Sequence, residues 1–467
     1  MKREGPESRK KLQKIPRLLL AAPESGSGKT VLTCGILALL QRRGISCVSY
    51  KCGPDYIDPM FHHQVLGIPG YNLDSFFIPQ QQVRRLFTQT ARKADMALIE
   101  GVMGYYDGVA GTTTQASAYE IAQITDTPVI LVVDGKKSSL SIAALVKGFL
   151  TYKTDSRIKG VILNRTSPMM AQRLRPCLKE LGIRLYGAVP VCGEAEWESR
   201  HLGLTLPGEQ VQLRGKVEAF ADRLESCLDI DGLLELAGNA PPVGQIRDEG
   251  GAVERGYRPG TKTLRRIAIA RDEAFCFYYQ ADLEALEQAG WELFFFSPLH
   301  DDHLPCPGLT AIFLGGGYPE VYAKGLSENT AMLEQIRLAR GQGVKILAEC
   351  GGFLYLHETL EGTDGCAYPM AGLIRAKGYR IGKLSRFGYI QLYDKEGREV
   401  ARGHEFHYWD STLPGADLRA VKSGSRQSWD CMHVTDGMIA GFPHLYHGPD
   451  FGWVGAFLEG ERQPLVI

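Results

Sequence analysis

Short apolar runs alternate with helical patterns along most of the chain, and this alternation constrains the fold more than any other feature. Runs rich in Val, Ile and Leu that are separated by helices indicate a parallel sheet covered by helices on both faces. The first series comprises LLLAA (18–22), ISCVSYK (45–51), MALIE (96–100), VILVVD (129–134), IKGVILN (158–164) and RLYGAVP (184–190). The second comprises IAIAR (267–271), LFFFSP (293–298), AIFLGGG (311–317) and KILAEC (345–350). The sequence therefore predicts an α/β protein with two domains.

Composition sets the domain limits. A chain of 467 residues with 44% hydrophobic content is long enough for two or three domains with their own cores. Residues 236–263 lack periodic apolar positions and are rich in Gly, Pro and charged side chains, which predicts a linker. We predict a disordered, basic tail over 1–15, a first domain over 16–235 and a second over 264–467.

Charge and cysteine usage restrict the class of protein. The formal net charge is zero, so the sequence predicts neither a nucleic-acid partner nor a membrane partner. Eleven scattered cysteines without a C-x-x-C pair favour a reducing compartment over a disulfide scaffold or a zinc ribbon. The N-terminus lacks the apolar segment of a signal peptide, and no run of about 18 apolar residues occurs. These features predict a soluble, cytoplasmic protein.

The segment SGSGKT (25–30) lies between the first apolar run and a helical pattern. In that context Gly26, Gly28 and the helix N-terminus present amides to phosphate, Lys29 reaches the terminal phosphates, and the Thr30 hydroxyl can hold Mg²⁺. Ala22 and Pro23 stand where phosphate-binding loops carry their first glycine. Read alone, the segment also fits a Gly/Ser turn before a helix.

Acidic residues follow the next two apolar runs. Lys51 ends the second run, and Asp55 and Asp58 follow it. Glu100 ends the third run, and Asp107 follows it. The carboxyl ends of parallel strands are the edge at which such sheets bind ligands. Because Mg²⁺ prefers oxygen ligands, carboxylates beside a phosphate loop suggest a magnesium site.

Cys350 lies between an apolar strand and Gly351-Gly352, within AECGG (348–352). This is the arrangement of a nucleophile elbow, in which a strained turn exposes the sulfur. Amides of the following helix are expected to favour the thiolate. Upstream lies the segment GGGYPE (315–320). The free amides of its Gly316 and Gly317, together with the Gly351 amide next to Cys350, could stabilise an oxyanion.

Several blocks resemble those of the cobyrinate/cobyrate amidotransferase family. They are KCGPDYIDPMFH (51–62), NLDSF (72–76), EGVMGYYDG (100–108), SRHLGL (199–204), GGGYPE, AECGG, GHEFHY (403–408) and GFPHLYH (441–447). The resemblance implies a dethiobiotin synthetase-like P-loop domain, followed by a class I glutamine amidotransferase domain. It implies that the protein is a ligase that uses ATP and Mg²⁺ to activate carboxylates of cobyrinate and L-glutamine to supply ammonia. It is compatible with a homodimer.

The resemblance also implies roles for individual residues. Cys350 is the nucleophile, and His444 is its base, with His447 as the alternative. The nucleotide would contact Gly26, Gly28, Lys29, Thr30, Lys51 and Asn164; the substrate would contact Asp55, Tyr56, Asp58 and Asp107; the metal would contact Thr30, Asp55 and Glu100. Tyr446 stands where many class I enzymes carry a glutamate, so the third member of the glutaminase site is left open.

Three alternatives remain at this stage. The substrate could be hydrogenobyrinate or nickel-sirohydrochlorin, because the blocks do not separate the metals. A partitioning-type ATPase with an inert second domain is a different class, and an exposed Cys350 argues against it. A metal site in the His-rich tail lacks thiolate or carboxylate partners at ligand spacing.

Overall fold

The structure is a computed structural model that describes residues 14–193, 207–243, 265–384, 386–448 and 452–460. The first domain alternates strands and helices. Its strands are β1 (Arg17–Ala21), β2 (Cys47–Cys52), β3 (Gly70–Leu73), β4 (Met96–Glu100), β5 (Val129–Asp134), β6 (Ile158–Asn164) and β7 (Arg184–Val189). Its helices are α1 (Lys29–Arg42), α2 (Ile57–Leu66), α3 (Gln80–Ala91), α4 (Ala118–Ile124), α5 (Ser141–Tyr152), α6 (Pro168–Glu180), α7 (Pro207–Cys227) and α8 (Ile230–Gly238), with a 3₁₀ turn at Val109–Gly111.

The seven strands form one parallel sheet in the order β3-β2-β4-β1-β5-β6-β7. Both faces are covered, because alternate residues of β1 enter different cores. Leu18 and Leu20 pack with α1, α7 and α8, whereas Leu19 and Ala21 pack with α3 to α6. Burial on both faces explains why these strands read as continuous apolar runs. The carboxyl ends of β1, β2 and β4 are neighbours in the sheet, so the loops after them meet.

The second domain adds a mostly parallel sheet and an antiparallel part. Its strands are β8 (Arg265–Ala270), β9 (Phe275–Phe277), β10 (Trp291–Phe296), β11 (Ala311–Leu314), β12 (Gly316–Gly317), β13 (Lys345–Glu349), β14 (His357–Glu361), β15 (Ala367–Pro369), β16 (Ile374–Arg380), β17 (Phe387–Tyr393), β18 (Glu399–Phe406), β19 (Trp409–Ser411), β20 (Leu418–Lys422), β21 (Ser428–Cys431), β22 (His433–Thr435), β23 (Met438–Gly441) and β24 (His444–Leu445). Its helices are α9 (Gln280–Gln288), α10 (Ala323–Glu328), α11 (Thr330–Gly341), α12 (Gly351–Tyr355) and α13 (Gly452–Glu459).

The main sheet of this domain runs β10-β8-β11-β13-β23-β22, and β22 pairs antiparallel to β23. Ala268 and Ala270 face a core with α11 and α12, while Ile267 and Ile269 face α9, α13 and a second sheet. That second sheet has the order β21-β20-β17-β18-β24, and β15-β14-β16-β19 form a third. The domain is therefore a layered α/β structure with an antiparallel extension.

The two domains share a buried interface. Tyr279 and Tyr446 of the second domain belong to the apolar core that contains Leu19 of the first. The Tyr389 hydroxyl donates a hydrogen bond of 2.7 Å to Asp74 Oδ2. Buried aromatic rings together with this hydrogen bond fix the domains against each other.

The predicted fold class is confirmed, and three predicted strands, at 96–100, 129–134 and 158–164, have the observed bounds. β3 is missing from the prediction because its four residues, GYNL, are too few to show a periodic pattern. The antiparallel sheets were also missed, because their strands alternate exposed and buried residues with many polar side chains. None of the described helices is long and apolar enough to cross a membrane.

The predicted linker begins while the chain still packs on the first domain. α8 continues to Gly238, and Arg17 donates to Pro241 O at 2.6 Å. Residues 1–13 of the predicted tail, 244–263 of the linker and the block SRHLGL lie outside the described residues. The domain limits stay predictions.

Candidate active sites at the domain interface

The predicted phosphate loop joins β1 to α1. Gly28 caps α1 in the left-handed region (φ 89°), and any side chain on it would overlap the Asn164 amide. Asn164 Nδ2 donates to Ser27 O at 2.9 Å, and Arg165 donates to Gly26 O at 2.7 Å. The end of β6 therefore supports the loop, and only glycine fits at position 28.

Lys29 lies across this loop. Its Nζ donates to Met103 O at 2.6 Å and to Glu24 O at 3.2 Å. Burial, and then the nearby Lys51 charge, lower the pKa of Lys29 to about 8, while Glu100 and Asp107 act in the opposite direction. The ammonium thus links the loop after β1 to the loop after β4, where a phosphate would be held by both.

A buried charge cluster lies beneath the loop. The Thr30 hydroxyl donates to Glu100 Oε1 at 2.5 Å, and Lys51 Nζ donates to the same oxygen at 2.7 Å and also to Asp58. Burial raises the pKa of Glu100, whereas the Lys51 ammonium overcomes burial and holds the pKa of Asp58 below its usual value. Glu100 Oε2 is buried without a hydrogen-bond partner among the described residues.

The structure separates the predicted acidic residues. Asp55 Oδ1 accepts hydrogen bonds from the amides of Ile57 at 2.9 Å and Asp58 at 3.3 Å, so Asp55 also stabilises the first turn of α2. Asp107 is exposed and accepts from the Gly104 amide at 2.9 Å. Asp58 and Glu100, rather than Asp55, surround Lys51 most closely.

Cys350 has the backbone geometry expected of an elbow, but its side chain is buried and not exposed as predicted. Its φ of 46° and ψ of −98° lie in a strained region for a residue with a side chain, between β13 and α12. Its amide donates to Gly441 O at 2.8 Å. The thiolate expectation is not supported. Burial, followed by Glu320 and Glu405, raises the pKa of Cys350 despite the hydrogen bond from the Gly351 amide. The thiol therefore needs a base.

The glycine-rich segment lies against this elbow. A side-chain carbon on Gly351 would come within 3.1 Å of Gly317 N, so the two amides are close neighbours. Gly352 N donates to Gly315 O at 3.0 Å, and Gly315 N donates to the Tyr278 hydroxyl at 2.9 Å. Gly315 and Gly317 thus lie against the elbow, and Gly316 between them faces His444.

Two histidines follow Gly441, the partner of Cys350. His444 lies against Gly316 and stacks on His404, with ring centroids 5.0 Å apart. Burial lowers the pKa of His444 well below its usual value, and His404 and His407 add to that effect, so its imidazole is neutral. Burial opposes protonation of His447, yet Glu349 and Asp282 raise its pKa overall. A neutral imidazole beside the glycine segment suits a general base.

Tyr56 connects the two sites. It lies between Asp55 and the start of α2, and its ring packs on Phe277 at 5.1 Å, on Tyr279 at 4.4 Å and on His444 at 5.4 Å. A small cavity between the domains is lined by Tyr56, Phe277 and Glu349, among others. The loop that carries the predicted substrate acids therefore contacts His444, the predicted base, directly.

Some functional candidates were missed by the sequence analysis. Arg165 follows the predicted Asn164 and is fixed by Asp134 at 2.6 Å, and Tyr278 lies in an aromatic run that reads as core. Glu349 immediately precedes Cys350, and a charged residue that ends an apolar strand was the available signal. Among the described residues no group of three or more His, Cys, Asp or Glu side chains is arranged to hold a metal, so a metal site in the His-rich tail gains no support.

Comparisons with known proteins agree with this arrangement. Residues 18–204 match the CobQ/CobB/MinD/ParA nucleotide binding domain, and residues 266–447 match the CobB/CobQ-like glutamine amidotransferase domain. The fold and the two sites thus define a two-domain, glutamine-dependent ligase.

Relatives that match most of the chain identify the family within this class of ligases. A cobyrinate a,c-diamide synthase from Caldanaerobacter subterraneus subsp. tengcongensis is 37% identical over 91% of this chain and 94% of its own. Enzymes of the same name from Salmonella typhimurium and Dehalococcoides mccartyi are each 39% identical, over 92% and 87% of this chain and 94% and 88% of their own. The chain belongs to the cobyrinate a,c-diamide synthase family. A solved glutamine amidotransferase from Thermotoga maritima, at a TM-score of 0.29 and 15% identity over 39% of this chain and 75% of its own, adds nothing to that assignment.

Proposed function

We propose that this protein amidates the a and c side-chain carboxylates of cobyrinate in cobalamin biosynthesis, with ATP to activate each carboxylate and glutamine to supply ammonia. The observation that carries the proposal is the direct contact of Tyr56, from the synthetase site, with His444 of the glutaminase site. Two sites joined in this way suit a reaction that makes ammonia in one and uses it in the other.

In the synthetase site a substrate carboxylate oxygen attacks the γ-phosphorus of ATP, and ADP leaves. Ammonia then attacks the carbon of the acyl phosphate, inorganic phosphate leaves, and an amide remains. Such transfers depend mainly on positioning and on neutralisation of charge. Gly26, Gly28 and Lys29 would hold the phosphates, Lys51 would contribute positive charge, and Asn164 would contact the nucleotide. Asp55, Tyr56, Asp58 and Asp107 would hold the tetrapyrrole.

Magnesium fits the charge cluster. Thr30 and Glu100 present a hydroxyl and a carboxylate 2.5 Å apart, and the second oxygen of Glu100 is buried without a partner in the described part of the chain. Mg²⁺ is usually held by one or two carboxylates together with substrate phosphates, so a full protein cage is not required. Asp58 lies closer to this pair than Asp55, at 3.4 Å from the Thr30 hydroxyl. Bound there, Mg²⁺ would neutralise charge on the phosphates.

In the glutaminase site His444 takes the proton of Cys350, and the thiolate attacks the side-chain amide carbon of glutamine. Amides of Gly316, Gly317 and Gly351 stabilise the oxyanion. The imidazolium returns the proton to the leaving nitrogen, which departs as ammonia. Water, deprotonated by the same imidazole, then hydrolyses the thioester to glutamate and the free thiol.

One experiment distinguishes cobyrinate from the two alternative substrates. Purified protein with ATP, Mg²⁺ and glutamine is offered cobyrinate, hydrogenobyrinate and nickel-sirohydrochlorin separately, and each product is weighed by mass spectrometry. Two successive losses of one Da, as each OH becomes NH₂, are expected with cobyrinate at the highest kcat/KM. Preference for nickel-sirohydrochlorin would overturn the substrate assignment while leaving the two-site mechanism intact.

The division of labour is tested with Cys350→Ala. Glutamine-dependent amidation should vanish while ammonium at high pH still supports turnover, because ammonia enters after the thiol chemistry. Loss of both activities in a folded variant would refute the two-site assignment. The family assignment argues against a partitioning-type ATPase with an inert second domain, and glutamine hydrolysis by the intact protein would exclude it. A cytoplasmic location and a homodimer stay predictions.

A further inference from the structure

A buried carboxylate lies between the two histidines of the second site. Glu349 ends β13, one residue before Cys350. Its Oε1 is 3.3 Å from His447 Nε2, and its Oε2 is 4.0 Å from His444 Nδ1. All three side chains are only 2–3% exposed. One carboxylate thus faces both imidazoles away from water.

These groups depend on each other for polar contacts. Glu349 pairs with His447 and accepts a hydrogen bond from the Leu445 amide, whereas His444 Nδ1 has no hydrogen-bond partner among the described residues and faces Glu349 Oε2. Burying a carboxylate is costly even when it is paired, so an apolar residue at this strand position would serve packing better. The placement is explained if the carboxylate acts on the imidazoles.

We propose that Glu349 is a positioning residue of the glutaminase site, which holds the proton of His444 on Nδ1 and leaves Nε2 to accept the Cys350 proton. The inference rests on the proposed roles of Cys350 and His444. Only one proton moves in this step, from Cys350 Sγ to His444 Nε2, while the Nδ1 proton stays directed at Glu349. Glu349 thus orients the catalytic imidazole, the role that the glutamate at the position of Tyr446 has in many class I enzymes.

His447 completes the arrangement on the other side. Asp282 accepts hydrogen bonds from the amides of His447 at 3.2 Å and Gly448 at 3.0 Å, which fixes this segment. Burial opposes a charge on His447, but Glu349 and Asp282 raise its pKa overall, so a proton on His447 would offset the buried carboxylate. His444, whose pKa is lowered by burial, is left neutral. The two histidines thus have different roles, because His447 offsets the charge of Glu349 and His444 serves as the base.

Other ionisable groups face this cluster from every side. They are Asp282 and Tyr279 near α9, Tyr278 below the glycine segment, Tyr56 from the first domain and His404 from β18. Burial raises the pKa of each tyrosine well above its usual value, so they stay neutral at physiological pH. Burial also lowers the pKa of His404 to about 3, which keeps it uncharged. Burial raises the pKa of Asp282 to about 7, so Asp282, like His447, can change its charge near neutrality.

The test compares Glu349→Gln with Glu349→Asp in the full chain. Gln keeps the shape but removes the charge, so kcat for glutamine hydrolysis should fall by about 10²-fold or more while KM for glutamine changes little. Asp restores part of kcat. The exposed Glu358, on the strand after α12, provides the matched control, and Glu358→Gln should behave as wild type.

Thiol reactivity gives a readout that a merely structural role would not move. The rate of Cys350 alkylation by iodoacetamide is followed against pH, and in Glu349→Gln its midpoint should move upward because the base is no longer oriented. Ammonium-supported amidation reports whether the fold and the first site survive. Glutamine hydrolysis within threefold of wild type, or an equal loss of ammonium-supported turnover, would overturn the proposal. Glutamine hydrolysis by Cys350→Ala would instead refute the underlying site.

Discussion

Tyr56 of the first domain stacks on Phe277 of the second, with ring centroids 5.1 Å apart and ring planes within 4° of parallel. Asp55 precedes Tyr56 and stabilises the first turn of α2 beside the charge cluster. The Tyr56 ring also contacts His444. The interface is therefore built from residues that adjoin both sites. Movement of the loop before α2 would therefore displace a ring that packs on His444, the proposed base of the glutaminase site.

Replacing Tyr56 by Ala should uncouple the two reactions. Without the ring, the α2 loop and His444 lose their common contact, and small misplacements of this kind can lower rates by about 10²-fold. We expect glutamine-dependent amidation to fall far more than glutamine hydrolysis, measured as amide and glutamate formed in one reaction mixture. Tyr56→Phe keeps the stack and should retain coupling. Equal losses of both products with Ala would count against this role.

Replacing Gly28 by Ala should prevent nucleotide binding. The new methyl group would overlap the Asn164 amide, and φ at this position is 89°. Gly44 is also left-handed, with φ of 74°, but has nothing within 4 Å of a side-chain carbon, so Gly44→Ala isolates the backbone strain. Isothermal titration with ATP should show binding lost only for Gly28→Ala. Similar affinities in the two variants would mean that Asn164 does not limit the loop.

Asp74 should make stability depend on pH. Burial raises its pKa from 3.8 to about 7, although the Tyr389 hydroxyl and the Phe76 amide act in the opposite direction. Between these values the folded state binds more protons than the unfolded state, so this group's contribution to stability falls as pH rises. Asp74→Asn should remove that slope and raise the melting temperature relative to wild type more at pH 8 than at pH 4. A pH-independent difference between the two proteins would contradict this assignment.

Replacing Glu100 by Gln should weaken Mg²⁺ binding at the synthetase site and leave the glutaminase reaction intact. The amide has no charge to offer a cation and cannot pair with Lys51 as the carboxylate does. We expect the Mg²⁺ concentration that half-saturates ATP-dependent amidation to rise about tenfold, and glutamine hydrolysis to persist. Glu24, in the exposed part of the loop, serves as the control through Glu24→Gln. An unchanged Mg²⁺ dependence would remove Glu100 from the metal site.

The sequence carries signals for candidate residues in each site but none for the contacts between the sites. Cys350 and the phosphate loop carry local signals, because a strained turn and an anion-binding loop each need glycine at fixed positions. Glu349 and Tyr278 carry no such signal, since their partners, His447 and Gly315, are distant along the chain. The helix amides were expected to favour a thiolate at Cys350, but burial by elements distant in sequence raises the pKa of the thiol.

The sequence alone determined two α/β domains, the strands that enter both cores and the loops at their carboxyl ends, because apolar periodicity and glycine placement are local properties. The tertiary structure decided that Tyr56 meets His444, that Glu349 lies between two histidines and that Asp58 adjoins Lys51 beside Glu100. Those relationships arise from the way separate strands and domains pack, and the charge state of each buried group follows from that packing.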